Sequence, residues 1–406
     1  MAGIYIHVPF CKSRCIYCDF YSQTSLDLRQ RYVDAVCREM DMRGARCEVR
    51  GTRCEGRGGL DIQTVYLGGG TPSLLTENQL RQLFIYINKV YVMEGGERKK
   101  ETRGSRCEVR GARFEVRGSR CEVTIECNPD DVTEDFAFML SRLPVNRISM
   151  GAQTFSDHRL QFLRRRHQAA QVPLAVERLR KAGFTNISID LMYGFPGETL
   201  ADWQADIDQA LSLQVEHLSA YALQYEEGTP LYRMKQRGEV KETDEELSRQ
   251  MYYMLKNRLA AAGYEHYEIS NFARKGYRSR HNSSYWNQTP YIGLGAAAHS
   301  FDGENRRWNV SDIHRYMEGI EKGEPVVERE ILTPDNRYNE VVMTALRTSD
   351  GLQTDSLPEA YRNYCLEQSR PFLDSGLLSL DNGRLRLTRE GLFVSDMVIV
   401  ELFKSS

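Results

Sequence analysis

Three cysteines near the start of the chain have the residue type and the spacing for metal chemistry. Cys11, Cys15 and Cys18 stand in C-x3-C-x2-C spacing, directly after the apolar run at 4–8. Soft thiolate ligands suit iron–sulfur clusters, so three of them on one short loop can hold three irons of a [4Fe–4S] cube. A cluster that only transfers electrons normally has four cysteine ligands. The spacing therefore predicts a cluster whose fourth iron is open to another ligand.

Two other interpretations of these cysteines are a zinc site and chance clustering, since the chain has ten cysteines. Zinc prefers four ligands, usually a C-x2–4-C pair with a distant second pair. Motifs further along the chain favour the cluster, because they fall where a ligand of the open iron would need them.

The run Y-I-H-V-P-F-C and the cysteine spacing together resemble the radical S-adenosylmethionine (SAM) superfamily. The resemblance implies that the open iron binds the amino and carboxylate groups of SAM. It also implies that an electron from the reduced cluster cleaves the sulfonium and releases a 5′-deoxyadenosyl radical, which requires a partner that reduces the cluster.

Strands and helices must alternate to position this loop. Short β-branched or apolar runs, each followed by a helical stretch, occur at 4–8, 63–67, 123–126, 147–150, 187–191 and 218–223. Six such alternations predict an α/β fold with a parallel barrel or partial barrel. The resemblance favours the partial (β/α)6 TIM-like barrel of radical SAM proteins.

Glycines and a threonine follow the second of these strands. Gly69, Gly70 and Thr71 lie in G-G-G-T-P, where glycine lets a ligand approach the backbone closely. The motif is not a phosphate-binding P-loop, because no Gly-Lys-Ser/Thr follows it. The resemblance implies contact with the SAM amino group.

Six further side chains match SAM-contacting or cluster-flanking positions of the family. Taken singly, each could be an ordinary polar or strand-end residue; together they sit mostly at strand C-termini, where barrel sites assemble. They are Tyr5 and Tyr17 beside the cluster, Glu126, Gln153 and Arg165 against SAM, and Asp190 on the ribose hydroxyls. No catalytic residue is assigned.

Two stretches interrupt the alternation with a seven-residue unit, R-G-x-R-[C/F]-E-[V/G]. They are basic, with five Arg and two Glu in 43–59 and nine Arg or Lys and five Glu in 97–122. A nucleic-acid arm would need interleaved aromatic residues, which are missing. Metal binding by Cys47, Cys54, Cys107 and Cys121 is another interpretation. We interpret 43–59 and 95–121 as insertions on the barrel face opposite the active site, because each follows a helix and precedes a strand.

A histidine motif, H-N-S-S-Y-W, begins at His281 in a polar segment, 277–290, that is predicted to be a loop. Histidine is an axial ligand of heme iron, and Tyr285 and Trp286 could pack on a porphyrin. A lone loop histidine is usually only solvated. The motif is, however, the pattern shared by heme-binding chaperones related to oxygen-independent coproporphyrinogen III oxidases, a family that the chain resembles over nearly its whole length. That family can bind two SAM molecules.

Two features separate the branches of this family. The oxidases have an N-terminal extension and a fourth cysteine two residues after the third, whereas this sequence begins just before H-V-P-F-C and has Asp19-Phe20 after Cys18. The expected function is therefore a heme chaperone that transfers heme to an acceptor hemoprotein, with a membrane-associated respiratory protein as one candidate. The alternative is an oxidase that decarboxylates coproporphyrinogen III. A regulatory iron–sulfur protein acting on nucleic acid lacks a basic recognition helix.

The expected organisation is a core at 1–230, an extension at 231–335 that carries the histidine motif, and a smaller α+β winged-helix-like domain at 336–406. The smaller domain is expected to cover the barrel mouth. A net charge of −2 and the lack of a leader-like or membrane-spanning run favour a cytoplasmic protein without nucleic-acid partners.

Overall fold

A computed structural model describes residues 2–44, 61–93 and 121–404. The sixteen strands in these ranges are Ala2–Val8 (β1), Asp61–Gly69 (β2), Val92–Met93 (β3), Glu122–Cys127 (β4), Arg147–Gln153 (β5), Ile187–Tyr193 (β6), His217–Ala222 (β7), Glu265–Glu268 (β8), Asn271–Ala273 (β9), Tyr291–Leu294 (β10), His299–Phe301 (β11), Asn305–Asn309 (β12), Val327–Ile331 (β13), Leu352–Gln353 (β14), Leu378–Asp381 (β15) and Arg384–Leu387 (β16).

The same ranges contain fourteen α-helices. They are Arg29–Gly44 (α1), Glu77–Val90 (α2), Glu134–Ser141 (α3), Asp157–Phe162 (α4), Gln171–Lys181 (α5), Leu200–Ser212 (α6), Pro230–Gln236 (α7), Glu245–Ala261 (α8), Arg280–Trp286 (α9), Ile313–Lys322 (α10), Pro334–Leu346 (α11), Glu359–Asp374 (α12), Arg389–Phe393 (α13) and Ser395–Glu401 (α14). No helix within the described ranges is both long enough and apolar enough to cross a membrane.

The predicted six-stranded partial barrel is confirmed. Strands β1, β2, β4, β5, β6 and β7 lie side by side in this order and run parallel, with helices between them along the chain. The sheet then continues past both edges. Strand β10 pairs parallel with β1 and leads to the antiparallel strands β11–β13. At the other edge, β9 pairs antiparallel with β7, and β8 pairs antiparallel with β9.

Alternation along β1 decides which side chains face the inside of the barrel. Ile4, Ile6 and Val8 are fully buried in the apolar core. Tyr5 and His7 point to the opposite face, because successive side chains of a strand alternate. The interior is therefore lined by groups that can make hydrogen bonds, and the apolar packing lies outside the strands.

The C-terminal unit has its own core and the expected α+β winged-helix-like build. Strands β14, β16 and β15 form an antiparallel sheet, and Val342, Leu346, Leu385 and Val398 are buried beneath it with the helices.

The expectation that this unit covers the barrel mouth is wrong. It packs at the N-terminal ends of the barrel strands, where the N–H of Ser349 donates to the carbonyl of Tyr267 at 3.0 Å and Arg306 pairs with Glu340 at 2.9 Å. The cause is the antiparallel pairing of β13 with β12, because Ile331 returns beside Asn305 at that end and α11 follows directly.

Most of the predicted insertions at 43–59 and 95–121 lies outside the described residues. Arg43, however, belongs to α1 and not to an insertion, since its guanidinium donates to the carbonyl of Gly293 at 2.6 Å and to Ser300 Oγ at 3.1 Å. Cys121 is buried and directly precedes β4. The location of the remaining repeat units on the far face stays a prediction.

Candidate cluster and cofactor site

The cysteine loop leaves the C-terminal end of β1 and is held in place by Ile16. This side chain is 2% exposed and packs in a small apolar cluster with Leu163, Phe195 and Leu231. Its N–H donates to the carbonyl of Leu163 at 3.3 Å, and its own carbonyl accepts from the N–H of Leu231 at 3.0 Å. Ile16, one of the two residues between Cys15 and Cys18, therefore anchors the loop that carries both cysteines.

Each of the three thiols is free and half-exposed at this end of the barrel. Thr71 Oγ1 donates to Cys11 Sγ and Arg165 Nη1 donates to Cys15 Sγ, both at 3.6 Å. Burial raises the pKa of the Cys18 thiol to about 11, helped by the neighbouring thiols and opposed by a main-chain hydrogen bond from Phe20. Iron would have to displace that proton, which is usual for thiolate ligands.

These residues fit a three-cysteine [4Fe–4S] cluster. Donors aimed at sulfur suit the thiolate form, which is the form that binds iron. In the described part of the chain, no three His, Cys, Asp or Glu side chains converge as ligands of one metal ion would. The thiolates of a cubane bind three different irons, so they need not converge.

The glycine motif allows the cysteine loop to lie against the end of β2. The N–H of Gly70 donates to the carbonyl of Val8 at 2.9 Å, and a Cβ at Gly70 would come within 2.8 Å of the carbonyl oxygens of Val8 and Phe10. Gly69 has a φ of +106°, a conformation that favours glycine. Glycine is thus needed at position 70 partly because the main chain of the cysteine loop lies directly against it. The sequence alone did not separate this packing role from a role in ligand binding.

Glu126 lies inside the barrel at the end of β4. Its carboxylate accepts hydrogen bonds from Tyr66 Oη at 2.8 Å and from the N–H of Gly69 at 3.1 Å. Burial raises the pKa of Glu126 to about 7, against the lowering effect of the Tyr66 hydrogen bond. Tyr66 was not predicted from the sequence, although it stands two residues before Gly68. Strand alternation therefore places both residues on the interior face.

Gln153 and Arg165 come together beside the cysteine loop. Arg165 Nη2 donates to Asn128 Oδ1 at 2.6 Å and to the carbonyl of Gly151 at 2.8 Å. A Cβ at Gly151 would lie 2.7 Å from Gln153 Nε2 and 3.1 Å from Arg165 Nη2. Asn128 was also missed, and its place two residues after Glu126 at a strand end is the signal that could have found it.

Asp190 faces the interior from β6. Its carboxylate accepts hydrogen bonds from Ser219 and Ser149 on the two neighbouring strands, and burial raises its pKa. The sequence-predicted SAM contacts of β2, β4, β5 and β6 are therefore gathered at one end of the sheet, as the strand order requires.

The two predicted aromatic residues occupy different depths. Tyr17 is in the cysteine loop, is hydrogen-bonded to Cys15, and has its pKa raised chiefly by burial. Tyr5 lies on β1, further from the cysteine loop, and its ring stacks with that of His281. Its Oη donates to His7 Nδ1 at 3.0 Å, while His7 Nε2 donates to the carbonyl of Tyr21 at 2.9 Å. His7 was not predicted to take part.

His281 lies at the other end of the barrel. The predicted loop is wrong at this point, because Arg280–Trp286 is helix α9, capped by Ser279, whose Oγ accepts from the N–H of Asn282. His281 is 1% exposed, with Nδ1 hydrogen-bonded to Thr64 Oγ1 at 2.8 Å and Nε2 to Tyr285 Oη at 2.9 Å. Burial lowers the pKa of His281 to about 3, so the ring is neutral at pH 7.

The motif is not brought to the cysteines. His281 contacts Gly3 and Thr64, near the beginnings of β1 and β2, whereas the cysteine loop begins after Val8. Five residues of strand separate Gly3 from Val8, which is roughly 16 Å.

Comparisons with known proteins agree with this architecture. The Radical SAM superfamily model matches residues 5–210, and the HemN C-terminal domain model matches residues 332–394. The chain is 34% identical to the protein named heme chaperone HemW of Bacillus subtilis, over 98% of both chains. It is 32% identical to the protein of the same name from Mycobacterium tuberculosis, over 98% of this chain and 93% of that one.

A solved structure shows the same fold. Coproporphyrinogen III oxidase (HemN) from Escherichia coli, described as a radical SAM enzyme, aligns with a TM-score of 0.79 over 99% of this chain and 90% of that one. The identity is 19%, so this likeness concerns the fold alone. From the family model and the full-length relatives, the chain belongs to the radical SAM superfamily and, within it, to the heme chaperone HemW family.

Proposed function

We propose that the protein binds heme and transfers it to an acceptor apoprotein, and that it holds a SAM-liganded [4Fe–4S] cluster at the opposite end of the barrel. The observation that carries this proposal is the H-N-S-S-Y-W run, which forms helix α9 with Trp286 at an open cleft. Full-length similarity to proteins named heme chaperone supports it.

In this proposal the cluster end keeps the roles inferred from the family resemblance. Cys11, Cys15 and Cys18 would hold the cluster, which when bound supplies one-electron chemistry. The residues that would hold SAM are Tyr5, Tyr17, Gly69, Gly70, Thr71, Glu126, Gln153, Arg165 and Asp190. Among them, Glu126 offers a buried carboxylate to the amino group of SAM and Asp190 one to the ribose hydroxyl groups.

His281 would act by forming the heme pocket, since both of its ring nitrogens already have hydrogen-bond partners. These bonds fix the rotation of α9 about its axis, which determines where Trp286 points. Ligation of heme iron by His281 would occupy one ring nitrogen, so the hydrogen bond of that nitrogen, to Thr64 or to Tyr285, would first have to break. We expect the protein in the cytoplasm, with a hemoprotein, including a membrane-associated respiratory one, as acceptor.

The second candidate, oxidative decarboxylation of coproporphyrinogen III, has less support. The fold likeness to the oxidase does not extend to function at 19% identity. Position 20, where the resemblance places a fourth cysteine in oxidases, is Phe20, and its side chain is exposed.

The proposal is tested by titrating the cluster-reconstituted protein with hemin and then measuring transfer of the bound hemin to an apoglobin. An assay of SAM-dependent porphyrinogen decarboxylation, run in parallel, tests the second candidate. We expect saturable hemin binding and transfer. His281→Ala should weaken hemin binding or shift the Soret band while the cluster absorption persists; His314→Ala, at an exposed position on α10, is the matched control. No saturable hemin binding, or robust conversion of coproporphyrinogen III, would overturn the proposal.

A further inference from the structure

A cleft of about 340 Å³ lies between α9 and the C-terminal unit. Tyr267 and Trp286 line it on the barrel side, and Val341, Ala345 and Leu352 line it on the other. The cleft is at the N-terminal end of the barrel, because Tyr267 Oη is hydrogen-bonded at 2.7 Å to His217, the first residue of β7.

Helix α9 has two faces with different environments. His281 and Ser284, three residues apart, are buried toward the barrel. Ser283 and Trp286 lie on another side of the helix and line the cleft, as does Asn287, which directly follows the helix. The motif thus has one face that anchors α9 to the barrel and another that is available to a ligand. Both faces arise because residues three apart in a helix lie on the same side.

Two arginines from different parts of the chain line the same cleft. Arg278 is 38% exposed, pairs with Glu265 at 3.4 Å and Asp350 at 3.6 Å, and lies 5.5 Å from the centre of the Tyr267 ring. Arg384 Nη1 donates to the main-chain carbonyl of Asp350 at 2.9 Å. The ion pairs of Arg278 are long, and the side chain of Asp350 is 72% exposed, so a carboxylate ligand could displace these contacts at small cost.

We propose that this cleft binds the propionate edge of heme, with Arg278 and Arg384 pairing with the two carboxylates and Trp286 stacking on the macrocycle. This inference rests on the proposed heme-carrier function and adds where and how heme is recognised. Planar guanidinium groups suit carboxylates, and an indole ring suits a flat apolar face.

The size of the cleft fits such partial binding. Its volume is at the low end for ligand pockets, so an edge of a macrocycle is held and the rest stays outside. The lining residues in the described part of the chain include no His, Cys or Met. Tyrosine can also ligate heme iron, but Tyr267 Oη is already hydrogen-bonded to His217 at 2.7 Å. Recognition by ring and propionates leaves heme free to be passed on.

The test uses the full-length, cluster-reconstituted protein titrated with hemin and with hemin dimethyl ester. We expect the Arg278→Gln/Arg384→Gln double variant to weaken hemin binding on the order of tenfold or more per arginine. The diester should bind wild type about as weakly as hemin binds the double variant. Arg237→Gln/Arg249→Gln, at exposed ion pairs elsewhere, is the control and should behave as wild type.

Trp286→Leu gives a second, independent measurement. It should weaken hemin and the diester by the same factor, because stacking does not depend on the propionates. Unchanged cluster absorption would show that each variant is folded. The proposed heme site would be wrong if the arginine double variant bound hemin as tightly as wild type does. It would also be wrong if wild type bound the diester as tightly as it binds hemin. Absence of hemin binding by wild type would instead refute the carrier function, and the cleft with it.

Discussion

The two ends of the barrel are built in opposite ways. At the C-terminal ends of the strands, the three thiols are half-exposed, and the buried Glu126 carboxylate, which accepts two hydrogen bonds, can accept more. At the N-terminal ends, His281 is enclosed and both of its ring nitrogens are hydrogen-bonded. Polar groups that bind a ligand need vacant donors or acceptors, whereas those that fix a structure need filled ones. We therefore propose that the histidine end serves heme through the face of α9 that carries Ser283 and Trp286.

Two aromatic side chains of the described residues, Tyr66 and Tyr5, lie against His281 and reach toward the cluster end. The Tyr66 ring stacks on the His281 ring with centroids 5.0 Å apart, and its hydroxyl donates to Glu126. If the two ends work separately, changes at the cluster end should leave hemin binding intact. A change at Tyr66 should then have little effect on the hemin Kd.

Removal of a cluster ligand gives the largest expected effect. Cys11→Ala should abolish the visible absorption of the reconstituted cluster, because a cubane with two protein ligands is poorly held. Hemin binding at the far end should persist. Cys127→Ala is the control, since Cys127 is buried at the end of β4 and has no assigned role. Loss of the cluster in the control variant would contradict the three-ligand prediction.

Loosening the cysteine loop should have the next largest effect. Ile16→Ala removes a fully buried side chain, at roughly 2–5 kcal/mol for such changes. The loss falls on the loop that positions the cysteines, so we expect low cluster content after reconstitution, measured as iron and sulfide per chain. Ile16→Val, at about 0.5–1.5 kcal/mol, should retain most of it. Equal cluster content in both variants would show that the anchor is dispensable.

The pH dependence of SAM binding should follow Glu126. With a pKa of about 7, this carboxyl group is ionised above pH 7 and protonated below it. The ionised form is the stronger hydrogen-bond acceptor for the amino group of SAM, so the Kd for SAM should rise by up to about tenfold per pH unit below 7 and level off above it. Calorimetric titrations with SAM at a series of pH values, from about 5.5 to about 8, measure this dependence. Glu126→Gln should bind weakly with no such slope; a slope unchanged in that variant would assign the titration elsewhere.

The smallest effect is expected at the connection between the ends. Tyr66→Phe keeps the ring on His281 and removes the hydrogen bond to Glu126, worth about 0.5–1.5 kcal/mol. The Kd for SAM should rise by a small factor, and the hemin Kd should stay unchanged. A large change in hemin affinity would mean that the two ends are coupled through this ring.

Much of the cluster end could be predicted from the sequence because its signals are local. The cysteine spacing, the glycine motif and the polar residues at strand ends are each contained in a few consecutive residues, and parallel strand order brings them to one edge. Asn128 and Tyr66 were missed, although both lie within two residues of a predicted position or motif. Their partners, Arg165 and Glu126, are far away in sequence.

The histidine end could not be predicted in the same way. The segment 277–290 is polar, and polarity predicts a loop, but Glu122 accepts hydrogen bonds from the N–H groups of Arg280 and His281 and so supports the start of a helix. That acceptor is more than 150 residues away along the chain. The docking side of the C-terminal unit was mispredicted for a related reason, because it depends on where the β12–β13 pair ends.

The sequence by itself determined the barrel class, the cysteine loop and the family, since alternation of apolar runs and short motifs are properties of neighbouring residues. Only the tertiary structure decided that His281 is enclosed, that Trp286 faces away from it, and that Arg278 and Arg384 line one cleft. These are relations between residues that are neighbours in space and not in sequence. They follow from the pairing of β12 with β13 and from the packing of α9 against the N-terminal ends of the barrel strands.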